Sequence, residues 1–221
     1  MLQLSENPLL RIAPPAGISI GRVESELHRL PHLAGDRRLT VGPTRRRVID
    51  ARKCQTAREA IGTLPEFDEA THLVIGGRFA LWNFVPAIIE MAGPVNELWI
   101  ATLGFSRQNI DELCSLIDAG QIARTWLLGS HYFKSTSAPI YDHAVKELDR
   151  RPSASFVSLR SHAKLLLLKM ADGRTFTIES SANLRSCKNI EAATILGSPE
   201  VFAFHRRWIL DLFAAMPSEG K

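Results

Sequence analysis

Arg160-Ser161-His162-Ala163-Lys164-Leu165-Leu166-Leu167-Leu168 reads as a polar pair set at the mouth of a buried strand. His162 and Lys164 are two residues apart, and side chains alternate along extended backbone, so both stand on one face of that strand. The four leucines that follow show no polar alternation, which marks a strand covered on both faces. Asp172-Gly173 is a tight-turn dipeptide, so Arg174 to Ile178 return as the second strand of a hairpin. Beyond it, Ser181 and Asn183 alternate again on backbone that has just left the sheet. An imidazole, an ammonium, a hydroxyl and an amide therefore converge near one strand end. These are the groups that hold an anion beside a nucleophile.

Taken in order, His162-x-Lys164, Ser180-Ser181-Ala182-Asn183 and Asn189-Ile190-Glu191 resemble the signature of the phospholipase D superfamily. That signature is His-x-Lys, an aspartate five residues after the lysine, Gly-Ser-x-Asn, and often a later Asn-x-Glu. Two positions depart from it. Ser180 stands in place of the glycine and Lys169 in place of the aspartate, which in the family is usually structural. The resemblance covers a short part of a chain of 221 residues.

The resemblance implies an α/β fold, a mixed β-sheet flanked by helices on both faces in an α-β-α sandwich. It also implies cleavage of a phosphodiester through a phosphohistidine formed on His162. Lys164, Ser181 and Asn183 would hold the non-bridging oxygens, and Glu191 would orient the imidazole. Arg185 and Lys188 follow the motif closely and would contact flanking phosphates. Neither a metal nor a cofactor is expected. Single-motif members of the family pair as homodimers that share one site, so His162 of the partner subunit would serve as general acid. Small members of this kind resemble endonucleases, which makes nucleic acid, DNA or RNA, the expected substrate. A phospholipase or phosphatidyl transferase, and a catalytically degenerate nucleic-acid-binding domain, are the alternatives.

Composition sets looser bounds. Hydrophobic residues make up 45% and charged residues 23%, ordinary for a globular domain. A net charge of +4 permits a phosphate-rich partner without demanding one. Cys54, Cys114 and Cys187 are odd in number and widely spaced, with no zinc-type cluster, which fits a reduced, cytoplasmic setting. The first residues lack the pattern of a secretory signal. Leu73 to Gly93 is the longest apolar region, but Arg78, Asn83 and Pro86 break it, so no integral membrane association is expected.

Residues 1–45 show no steady periodicity and carry Pro14-Pro15, Gly35, Gly42-Pro43 and the run Arg45-Arg46-Arg47, which reads as an N-terminal arm or extension. Residues 46–216 read as the phosphodiesterase-like domain. Within it, strands are expected at Val48-Ile49, Thr71 to Ile75, Glu97 to Thr102, Ala123 to Leu128, Ser155 to Leu159 and Ala192 to Leu196. Helices are expected over Gln55 to Leu64, Phe84 to Met91, from Ser106 to Gly120, from Ser137 to Leu148, and from Ser198 to Phe213.

Other signals fail on inspection. Gly129 to Thr136 lacks the glycine that a phosphate loop needs before its lysine, and His131 reads as a loop histidine. Gly76-Gly77 lacks dinucleotide-fingerprint spacing, and no nucleophile elbow occurs. Trp82, Trp99, Trp126 and Trp208 fall in or beside expected elements and read as core.

Overall fold

The computed structural model describes residues 42, 45–185 and 188–216. All but Gly42 and Arg45 of the expected N-terminal arm lies outside them. Arg45 itself begins the first strand.

Eight strands form one sheet: β1 (Arg45–Ala51), β2 (Glu69–Ile75), β3 (Val95–Ala101), β4 (Thr125–Ser130), β5 (Ala154–Leu159), β6 (Leu165–Met170), β7 (Thr175–Ser180) and β8 (Glu191–Leu196). Their order across the sheet is β1-β2-β8-β7-β6-β3-β4-β5. β1 with β2, β3 with β4, and β4 with β5 are parallel pairs, while the remaining neighbours are antiparallel. The sheet is therefore mixed. The hairpin at Asp172-Gly173 lies at its centre as β6 and β7, with Gly173 at φ 92° in the turn.

β6 is buried on both sides, as its run of leucines requires. Leu166, Leu168 and Met170 enter the larger apolar cluster, while Leu165 and Leu167 enter the smaller one. Full burial of each such side chain contributes about 1.5–3 kcal/mol. The larger cluster is closed by α1 (Ala57–Ile61), α2 (Phe84–Ala92), α3 (Arg107–Asp118), α4 (His131–Thr136) and α5 (Ala138–Asp149). The smaller is closed by α6 (Pro199–Ala215) through Phe202, Ile209 and Leu212. Helices thus cover both faces, as expected.

Local chemistry explains where these helices start. The side chains of Thr56, Ser106 and Ser198 accept from the backbone N–H groups of Glu59, Asn109 and Val201, three residues on in each case. Gly120 at φ 70° follows the end of α3. One expectation fails: His131 does not lie in a loop. It opens α4, whose Phe133 packs on Phe105 with centroids 4.6 Å apart. Six residues are too few to show a helical period in sequence. The tryptophans pack as expected, with Trp82 and Trp99 buried and Trp99 stacked on Trp126 at 3.7 Å.

Lys169, at the position of the family aspartate, faces Glu97 directly across the β3–β6 pair, with Nζ 3.8 Å from Oε1. Glu97 also accepts from Arg206 Nε of α6 at 2.7 Å and from Trp99 Nε1 at 3.2 Å. A cation at residue 169 completes a small ionic cluster between the sheet and α6, which accounts for the departure in structural terms. Among the described residues, no helix is long and apolar enough to cross a membrane.

Candidate active site

The site lies at the rim where β6 and β8 begin and β7 ends. Cross-strand registers set it: Leu165 pairs with Glu179, Ser180 with Ala193, and Ile75 with Glu191. His162 and Lys164 do not lie within the strand, as expected from their alternation, but immediately before it. The Lys164 carbonyl still accepts from Ser180 N at 3.1 Å, so this residue is anchored to the ladder from outside its regular part. Ser161 Oγ accepts from Ala163 N at 3.2 Å, and this local turn draws the backbone off the sheet.

The two side chains meet nonetheless. Lys164 Nζ lies 3.0 Å from His162 Nδ1 and donates to the His162 carbonyl at 3.0 Å. Burial holds the Lys164 ammonium below its ordinary pKa, and the nearby Glu191 carboxylate opposes that shift. His162 is exposed at the rim, and Lys164 is half-buried behind it.

Ser181 and Glu191 form the second half of the site. Ser181 Oγ donates to Glu191 Oε2 and accepts from Ala192 N at 3.0 Å. Its hydroxyl hydrogen is therefore directed at a carboxylate. Ser180 is well accommodated in place of the family glycine: its Oγ donates to the Ala192 carbonyl at 2.8 Å and accepts from Ala182 N at 3.0 Å. Those bonds pin the exit of β7 against the entry of β8.

Asn183 is fixed through its backbone, its carbonyl accepting from Leu81 N at 3.3 Å. Leu184 N donates to Thr102 Oγ1 at 3.4 Å, while Ala182 and Leu184 are buried. The loop is thereby clamped between the segments after β2 and after β3. Asn183 Oδ1 is buried and takes no hydrogen bond among the described residues. Arg185 is exposed and passes over Gly104, and Lys188 is exposed farther along the same loop. The structure thus gathers His162, Lys164, Ser181, Asn183, Glu191 and Arg185 into one strand-end region.

No protein-family model matches the chain, and no curated protein matches it. Solved structures do resemble it. Nuc, a phospholipase D family member from Salmonella typhimurium, aligns at 11% identity and TM-score 0.46, over 62% of this chain and 90% of that one. Polyphosphate kinase from Porphyromonas gingivalis aligns at 11% identity and TM-score 0.49, over 69% of this chain and 27% of that one. Yeast tyrosyl-DNA phosphodiesterase aligns at 10% identity and TM-score 0.32, over 57% and 31%. The chain thus spans most of Nuc but under a third of the other two. At these identities and scores the likeness concerns the course of the backbone and says nothing of individual residues.

Sequence reasoning missed the supports of the site. Thr102 and Leu81 anchor the Asn183 loop from far earlier in the chain, and neither carries a local signal. Lys164 meets His162 just past the turn at Ser161. Periodicity does not report such a turn.

Proposed function

We propose that this chain is a phosphodiesterase that uses His162 as nucleophile without a metal, and that its substrate is nucleic acid. The observation that carries this reading is the Lys164 ammonium, half-buried and 3.0 Å from the His162 imidazole, beside the loop that holds Ser181, Asn183 and Glu191. A phosphate entering this site meets a cation, an amide and an imidazole together.

Lys164 and Asn183 bind the non-bridging oxygens, where charge grows as phosphorus becomes five-coordinate. His162 attacks phosphorus, the P–O bond to the leaving alkoxide breaks, and a phosphohistidine forms. The alkoxide takes a proton from a general acid. Water then attacks the phosphohistidine and releases the phosphate product. The chain carries a single His-x-Lys motif, so the acid in this reading is His162 of the partner subunit in a homodimer. Glu191, linked to Ser181 Oγ, lies close enough to influence Lys164. Arg185 and Lys188 hold phosphates next to the scissile one. A reducing, cytoplasmic setting belongs to the same reading, supported by Cys54 and Cys114 as free thiols.

Incubation with mixed DNA and RNA in excess chelator, beside His162→Asn, tests the reading. Chelator-resistant cleavage should fall by on the order of 10³-fold or more in the variant. Cleavage that persists in His162→Asn, or that the chelator abolishes, overturns it. Turnover of phosphatidylcholine vesicles without turnover of nucleic acid would transfer the site to a lipid substrate.

A further inference from the structure

The strand registers place six strand ends and two strand starts on one rim, with the His162 site at its middle. On one side Ile75 ends β2, and Arg78 follows in the next segment, exposed. Gly76 lets that segment pass close to the residue after β1, since a Cβ there would stand 2.5 Å from the Arg52 carbonyl oxygen. On the other side Ser130 of β4 pairs with Leu159 of β5. His131 and Arg160 follow these two residues in the chain, and both are exposed. Beside them, at the start of α4, Tyr132 is 65% exposed.

At the opposite end of the sheet Arg151 pairs with Asp118 and Arg174 with Asp172, and on this rim Arg52, just after β1, pairs with Asp50. Arg78 and Arg160 make no ion pair among the described residues. From β2 to β5 there are six strand spacings in the sheet order, roughly 29 Å at about 4.8 Å each. That length accommodates a few nucleotides, the lower end of the ~4–16 that a single-strand groove covers. Exposed cations on both sides of the reacting centre suit a polymer with phosphates on both sides of the scissile bond. An exposed ring between such cations suits an unpaired base, whose face is open for stacking.

We propose that this rim takes one single strand of nucleic acid laid across the strand ends, with Arg78 and Arg160 on phosphates at either side of the reacting diester and the Tyr132 ring stacked on a base. The inference rests on the phosphodiesterase reading for the direction of the strand through the His162 site. It goes beyond that reading in naming an unpaired strand and the residues that select it.

Fluorescence anisotropy on the full chain carrying His162→Asn tests this, with a fluorescein-labelled single-stranded 12-mer, a hairpin duplex of the same length and anionic vesicles as probes. The single strand is expected to bind most tightly. Tyr132→Ala should weaken it by about fivefold to a hundredfold, and Tyr132→Phe should restore it. The double variant Arg78→Ala, Arg160→Ala should weaken it and flatten its salt dependence by about 1.4 in logarithmic slope, two contacts at ~0.7 each. All three positions are exposed, and circular dichroism checks that the variants fold. Single-strand binding unchanged in these variants overturns the inference, as does preference for the duplex or for vesicles. Hydrolysis of bis(p-nitrophenyl) phosphate by the parent chain reports on the reaction separately. Hydrolysis with rim-independent strand binding sinks the strand path alone. Rim-dependent strand binding without hydrolysis sinks the phosphodiesterase reading alone.

Discussion

The Nζ of Lys164 stands 3.0 Å from Nδ1 of His162, and because an ammonium only donates, the ring nitrogen accepts. A neutral His162 in this pairing carries its proton on Nε2. That nitrogen has no lone pair to offer until the proton moves. In the proposed reaction, a phosphate that draws the ammonium away frees Nδ1 to take the proton, and Nε2 becomes the attacking atom.

Nitrogen-15 spectra of the ligand-free protein at alkaline pH should therefore show Nδ1 of His162 as the unprotonated nitrogen. Orthovanadate, a phosphate analogue, should shift the proton toward Nδ1, and Lys164→Met should remove the preference. A ring whose tautomer is the same in all three samples would contradict this account of the pair.

In the same proposed reaction Lys164 also sets an alkaline limit. Burial lowers its pKa below the usual 10.5, so the ammonium is lost at a lower pH than on an exposed lysine. The sign for stability follows. Between the folded and the unfolded pKa the unfolded chain binds more protons, so the cost of burying this charge lessens as pH rises through that window. In activity the effect is opposite, because the neutral amine no longer offsets phosphate charge. The kcat/KM profile should bend downward below pH 10.5, and Lys164→Arg should carry that limb upward, since guanidinium stays charged. A profile flat to pH 10.5 would remove Lys164 from the site.

Glu97 joins β3, β6 and α6 through Lys169, Trp99 and Arg206. Burial pushes its carboxyl pKa up, but the bonds from Arg206 and Trp99 and the Lys169 charge outweigh that and hold it below 4.5. The carboxylate therefore contributes stability above the unfolded pKa, lost as pH falls through the lower folded value. Glu97→Gln should cost about 1–3 kcal/mol in urea unfolding at pH 7 and less near pH 3. Lys169→Asp, which installs the family's residue type, should destabilise by up to about 1 kcal/mol, because it sets like charges directly opposite. Stabilisation by that change would refute the compensation.

Gly197 links β8 to α6, and a Cβ there would stand 2.1 Å from the Glu66 carbonyl oxygen. Its N–H donates to the Glu69 carbonyl, and its own carbonyl accepts from Asp68 N, both at 2.9 Å. Gly197→Ala must push the two segments apart, at a cost of about 1–3 kcal/mol or more. Thermal unfolding should show a loss of roughly 2–4 °C for each kcal/mol. An unchanged Tm would show that the segments move apart freely.

The sequence by itself determined the kinds of element and the identity of the candidate groups. The leucines of β6, the turn at Asp172-Gly173 and the caps Thr56, Ser106 and Ser198 are local signals, governed by neighbours within a few residues. The motif from His162 to Glu191 was legible because its members are close in the chain. The tertiary structure alone decided what crosses between elements. It placed β6 between β7 and β3, opposed Lys169 to Glu97, clamped Leu184 onto Thr102, and brought Arg78 and Arg160 to the rim that holds His162. The physical reason lies in the range of the forces involved. Periodicity and capping act over one or two turns, whereas strand order and register are set by burial of faces far apart in sequence.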